Sequence, residues 1–161
     1  IGFRSFFLKA TRGNGQMNST FIGHEPVRGD VAFVRSGALV AAENGVASSY
    51  GLSNIQQRGL TFIEPGIRVY EGMIVGACSR DNDLVVNVCK EKKLTNMRAS
   101  TADIAVKLTP PVRFSLEESL DFIADDEVVE VTPKHIRLRK RFLSNDDRYR
   151  KKRSNGRTSA K

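Results

Sequence analysis

Lys90, Lys92, Lys93 and Arg98 fall in one stretch, residues 87–100, against the single acid Glu91. Lysine ammonium groups act on phosphate as point charges, whereas the Arg98 guanidinium can hold a phosphate through two parallel hydrogen bonds. Thr95, Asn96 and Ser100 add short polar side chains. Thr95 and Asn96 have the reach to meet a ribose 2′-hydroxyl, the group that separates RNA from DNA. Leu94 and Met97 are the large apolar residues of the stretch and can lie against a ribose or an exposed base. Residues 90–100 show neither helical nor strand periodicity and are long for a structureless connection, and such connections tend to carry function. The pattern is that of a loop contacting RNA. The plainer alternative is a solvated surface loop with incidental lysines.

Other chemistry has less support. The phosphate-loop pattern GxxxxGK[ST] is absent, and Gly13-Asn14-Gly15 follows a helical stretch instead of opening one. His24 and His135 are the only histidines and stand far apart in the chain, so they read as surface or turn residues and no metal site is expected. Cys89 lies beside Lys90, which would favour a thiolate, but no base is identifiable, and a buried structural cysteine is the simpler reading. Asp81-Asn82-Asp83 and Asp125-Asp126-Glu127 offer paired carboxylates for Mg²⁺ or acid–base work, yet both fall in turns, where acids commonly cap or face water. The residues show no enzyme site and call for no cofactor. Two cysteines, 78 and 89, are too few for a disulfide scaffold and fit a reducing, cytosol-like compartment.

The formal charge is +8, and its distribution says more than its total. Residues 134–161 hold 12 Lys/Arg and two acids, so the first 133 residues are mildly acidic. In the strand pattern of residues 136–139, Ile136 and Leu138 point one way and Arg137 and Arg139 the other, giving a basic outer face. Arg137, Arg139, Lys140 and Arg141 therefore join the candidate RNA contacts. From Ser144 onward apolar residues nearly vanish, and the tail is expected to be disordered, with generic attraction to nucleic acid. No run approaches the ~20 apolar residues of a membrane span. No membrane or DNA partner is expected, and a monomer is. A protein-interaction module with a nonspecific basic tail remains the alternative function.

The elements that would position these residues are mostly strands. Phe3, Phe7 and Ala10 predict a helix within residues 1–12, stopped by Gly13, and residues 17–22 read as a strand. Asn44-Gly45 predicts a hairpin joining residues 38–42 to 46–52, and Ser53-Asn54-Ile55-Gln56 a capping box opening a short helix. Residues 60–63 and 69–78 read as strands, the second interrupted by Gly72 and Gly76, and residues 84–88 as a central strand. A strand over residues 103–108 would follow the basic loop. Ser115-Leu116-Glu117-Glu118 caps a helix through Ile123, set to cover an open end or edge of the sheet. A closing hairpin joins residues 128–131 to 136–139. The expected fold is mainly β with two short helices and an α+β remnant at the N-terminus, a small barrel or packed sheets carrying the long basic loop. The opening at Ile1, within an apolar stretch, reads as a cut from a longer protein.

Residues 86–100, VNVCKEKKLTNMRAS, resemble the signature of the BipA/TypA family of ribosome-binding translational GTPases. Further similar blocks are Ile1-Gly2-Phe3-Arg4, Thr11-Arg12-Gly13-Asn14-Gly15, Val69-Tyr70-Glu71-Gly72-Met73-Ile74-Val75-Gly76, Leu108-Thr109-Pro110-Pro111 and Val129-Glu130-Val131-Thr132-Pro133-Lys134. The resemblance implies a multidomain parent whose GTP-binding domain, with its GTP and Mg²⁺, is not in this sequence. Residues 1–28 would end a ferredoxin-like elongation-factor domain, residues 29–143 would form the family's β-rich C-terminal domain, and residues 144–161 the tail. It also implies binding to the ribosome (rRNA and A-site tRNA) in the cytoplasm or an organelle stroma. The loop would face the tRNA acceptor arm, with roles in large-subunit assembly and growth under stress. Lys90, Lys92, Lys93, Thr95, Asn96 and Arg98 carry over as contacts. Residues 31–49 are less like the family, and Ile104 stands where a more polar residue is expected.

Overall fold

A computed structural model describes residues 3–26, 36–92 and 107–158. The domain boundary expected near Gly29 and most of the strand expected over residues 103–108 lie outside them. So do Lys93, Thr95, Asn96, Arg98 and Ser100 of the basic loop. Among the described residues the chain forms α1 (Phe3–Ala10), β1 (Ala38–Ala41), β2 (Gly45–Val46), α2 (Ser49–Gln56), β3 (Gly59–Thr61) and β4 (Arg68–Val69). It continues with β5 (Met73–Cys78), β6 (Leu84–Val86), α3 (Leu116–Phe122), β7 (Glu127–Val131), β8 (Ile136–Lys140) and α4 (Asn145–Thr158). The fold is mainly β with short helices.

The main sheet runs β6-β1-β5-β8-β7, with β3 also pairing β5, and a separate ribbon pairs β2 with β4. Among the described residues the sheet is open and no barrel closes. Alternation along β1 sends its side chains to two cores. Leu39 and Ala41 join Leu52 and Ile55 of α2, with Met73, Val75 and Val86, on one face. Ala38 and Val40 join Ile74 and Leu138 on the other, beneath Phe62, Phe114, Phe122 and Ile123. The central strands are thus covered on both sides, by α2 and by the α3 segment. Phe62, Phe114 and Phe122 form a ring cluster with centroids 4.6–5.4 Å apart. The expected α3 capping box is present, Ser115 accepting from the Glu118 N–H and Glu118 from the Ser115 N–H, but the helix lies on a sheet face and not on its edge.

Four local expectations are overturned by tertiary pairing. Asn44-Gly45 closes no hairpin: β1 pairs antiparallel with β5 and parallel with β6, while β2 pairs β4. The Asn44 carboxamide instead accepts the Glu71 N–H at 2.9 Å. The helix begins not after Ser53 but after Ser48, so residues 49–52 are its first turn and not strand. Among the described residues β6 is an edge strand and not a central one, with Val85 exposed. Residues 17–22 find no strand partner among the described residues, and Phe21 and Ile22 are exposed. The tail expectation also changes, because residues 145–158 are helical. Asp146 and Asp147 complement the positive N-terminal end of that helix, and Lys and Arg are good helix formers.

One buried cation ties the two ends of the strand order together. Lys140, 2 % exposed, ends β8, and its Nζ meets Asp83 just before β6, Asp126 at 2.9 Å and Glu127 of β7 at 2.8 Å. Asp83 also accepts the Ala38 N–H that starts β1, and Glu127 accepts the Ala124 N–H. Burial alone would push the Lys140 ammonium down, but its hydrogen bonds to the three carboxylates outweigh it and hold the pKa above its usual range. Lys140→Met, which leaves those carboxylates without their cation, is expected to destabilise the fold by roughly 3–5 kcal/mol in urea unfolding. Because the folded-state pKa is raised, this contribution is full below the unfolded lysine pKa of 10.5 and is lost only as pH rises through the folded value. The Lys140→Met difference should therefore stay constant from neutral pH to about 10 and shrink above it.

Candidate nucleic-acid interface

The described backbone before and after residues 93–106 is fixed to a single helix. On the incoming side, the Ser48 N–H donates to the Val88 carbonyl at 2.9 Å. The Ser48 hydroxyl caps α2 by accepting the Gly51 N–H at 2.9 Å, and it donates to the Lys90 carbonyl at 2.6 Å. Asn87 braces the same turn: its Oδ1 accepts the Cys89 N–H and its Nδ2 donates to Glu43. On the outgoing side Gln56, the last residue of α2, holds Thr109 twice. Its Oε1 accepts the Thr109 N–H at 2.9 Å and its Nε2 donates to the Thr109 carbonyl at 2.7 Å. The two anchors are separated by about 12 Å, the length of an eight-residue helix.

Helix α2 is held in turn by Leu52 and Ile55 in the core below it. Val88 is buried there, and Cys89 and Leu108 pack against the same cluster. Gly51 makes the close fit possible, since a Cβ at that position would stand 2.3 Å from the Val88 carbonyl oxygen. Lys90 and Lys92 emerge exposed at the first root. Cys89 is half-buried, and burial first, then the Glu43 charge, raises its thiol pKa. That environment disfavours the thiolate a nucleophile needs.

The cations of β8 and of Arg141 just beyond it divide three ways. Lys140 is withdrawn from the candidate contacts, because its Nζ is buried among carboxylates and cannot meet a phosphate. Arg137 and Arg139 do share the face opposite Leu138, but both are half-buried. Arg137 stands 3.7 Å from Glu130, and Arg139 donates to the Lys140 carbonyl at 3.2 Å. Glu130 also accepts the Tyr70 hydroxyl at 2.7 Å; burial, with that bond, raises the phenol pKa. Arg141 is exposed. Of the carboxylates met in sequence at residues 81–83 and 125–127, Asp83, Asp126 and Glu127 converge on Lys140. Among the described residues no group of three or more His, Cys, Asp or Glu side chains is placed to hold a metal ion. No described helix is long and apolar enough to cross a membrane. Sequence reasoning missed Ser48 and Gln56, whose contacts span 42 and 53 residues; the signal in reach was Ser48 itself, a good N-cap residue three before Gly51.

A family model described as the TypA/BipA C-terminal domain matches residues 36–145, which takes in the main sheet, α2, α3 and both roots of the basic segment. The chain belongs to the TypA/BipA family. It is 50 % identical over 149 residues to the large ribosomal subunit assembly factor BipA of Bacillus subtilis, covering 92 % of this chain and 24 % of that protein. It is 50 % identical over 155 residues to the protein of the same description from Escherichia coli K12, covering 96 % and 26 %. With the Haemophilus influenzae protein it shares 47 % over 160 residues, covering 99 % and 26 %. The chain thus spans about a quarter of the length of the curated relatives it matches. The match to the family domain ends where α4 begins.

Two substitutions test the anchoring. Gly51→Ala should destabilise the chain by about 1–3 kcal/mol in urea through overpacking against Val88, although alanine is the better helix former. Gln56→Ala should speed hydrogen exchange at the Thr109 amide by about tenfold or more, read by mass spectrometry, with core amides of β5 unchanged.

Proposed function

We propose that this chain is the ribosome- and tRNA-contacting C-terminal module of a TypA/BipA translational GTPase, acting in large-subunit assembly or in translation under stress. Residues 87–100 are its RNA-facing finger. One observation carries the reading. The described backbone on either side of the basic segment is hydrogen-bonded to one packed helix, Ser48 to Lys90 and Gln56 to Thr109. A segment held at both ends presents its cations from one region of the surface, so that less entropy is lost on binding. Family membership supports the ribosome as the partner, since the relatives are described as large ribosomal subunit assembly factors. In this reading Lys90, Lys92 and Lys93 neutralise phosphates, Arg98 grips one bidentately, Thr95, Asn96 and Ser100 meet ribose or backbone, and Arg141 adds charge at the β8 end. GTP hydrolysis, with its Mg²⁺, belongs to the longer parent and involves none of these residues.

The test is ribosome binding by the full-length protein carrying Lys92→Ala, Lys93→Ala and Arg98→Ala together. Co-sedimentation should weaken by tenfold or more, and the dependence of log affinity on log salt should flatten by about three. Unchanged sedimentation would sink the reading, and a weak salt slope in the unmodified protein would favour a protein partner instead.

A further inference from the structure

Helix α4 takes no part in the site above and lies beyond the matched family domain. Its root is fixed to the body. The Asn145 N–H donates to Glu71 Oε1 at 2.8 Å, and Arg148 donates to the Phe142 carbonyl at 3.1 Å and to the Leu143 carbonyl. Lys151 lies 4.3 Å from the centroid of the Phe142 ring. Beneath this root, Gly72 at φ +83° lets the backbone of Leu143 approach so closely that a Cβ on residue 72 would stand 2.7 Å from its Cα. The tail therefore leaves the body in one direction, as a helix.

From Arg148 to Thr158 the helix carries six Lys/Arg and no acid. Arg150 and Arg153 are exposed and lie one turn apart, Arg150 with only a long 4.0 Å contact to the exposed Asp147. The one large apolar side chain in α4 is Tyr149, 62 % exposed. That composition separates the partners such a helix could take. A membrane-surface helix needs an apolar face to bury, and a helix docked in a protein groove needs apolar anchors at i, i+3 or i+4 and i+7. α4 has neither. Single-stranded RNA is held on several stacking aromatics, and α4 offers one. A duplex backbone needs none of these, because cations spread over about 16 Å of helix gain their affinity from counterion release.

We propose that α4 is a preformed docking helix for the phosphate backbone of double-stranded RNA, separate from the finger at residues 87–100. The choice of RNA over DNA rests on the ribosomal reading; the choice of a duplex rests on α4 alone. The helix binds by charge and shape and reads no sequence, as expected where a deep A-form groove hides the base edges.

The test uses the whole chain and a 20-base-pair RNA duplex of arbitrary sequence, with anisotropy titrations between 50 and 200 mM salt. Arg150→Gln with Arg153→Gln should lower the log–log salt slope by about two and weaken binding by tenfold or more. Glutamine keeps helix propensity close to that of arginine, and circular dichroism checks that α4 persists. Ser154→Pro keeps every charge but breaks the helix, and should weaken binding by fivefold or more. Wild-type affinity in Ser154→Pro would overturn the proposal, since a flexible cationic tail would then suffice. So would an undiminished slope in the double variant, or polyglutamate matching the duplex as a ligand. The Lys92→Ala, Lys93→Ala, Arg98→Ala chain separates the two readings. If it loses duplex binding while the α4 variants do not, α4 fails and the finger stands. If it keeps both duplex and ribosome binding while the α4 variants lose the duplex, the finger fails and α4 stands.

Discussion

The buried ammonium of Lys140 is the constraint on which the shape of this domain rests. Among the described residues the strand order β6-β1-β5-β8-β7 leaves the two outer strands without a hydrogen-bonded neighbour beyond them, and an open sheet of this size is free to splay. Asp83 at one end of that order and Glu127 at the other meet on a single Nζ, so the sheet must curl until its ends approach. A buried ion pair is a poor source of net stability, because desolvation cancels most of the attraction. What it enforces is register. Met73 faces Arg139 and Glu127 faces Lys140 across the ladders, and a one-residue slip would place Lys140 on the wrong face, away from its carboxylates.

That register transmits to the basic segment through the packing of α2. β1 alternates its side chains between two cores, and the Leu39–Ala41 side forms the floor under Leu52 and Ile55. With the helix seated there, Ser48 and Gln56 stand at its two ends and reach the backbone on either side of the finger. Sheet, seated helix and the fixed backbone on either side of the basic segment form one chain of dependence, the usual way in which a scaffold positions a loop. Helix α4, rooted on Glu71 and Gly72, leaves the same body at a different point.

The parts legible in the sequence are those whose causes are local. The capping box of Ser115 and Glu118 and the β7–β8 hairpin form as the pattern predicts, since each needs only near neighbours. Asn44-Gly45 misleads because its turn chemistry is overridden: β1 finds partners in β5 and β6, and Asn44 is spent on the Glu71 amide. The cluster around Lys140 was hidden for the opposite reason. Asp83 and Asp126 look like ordinary turn acids and Lys140 like one more surface cation, until the fold brings Asp83 and Lys140 into contact from distant parts of the chain. The finger's residue types were legible by composition, but its clamp was not, because Ser48 and Gln56 act on partners 42 and 53 positions away.

The proposed finger, residues 87–100, would face RNA when the parent protein is bound to the ribosome. A photo-crosslinking amino acid at position 97, in full-length protein on ribosomes carrying A-site tRNA, tests it directly. Crosslinks to RNA are expected, concentrated in the tRNA acceptor arm and absent when the tRNA is omitted. Crosslinks confined to ribosomal proteins would contradict it.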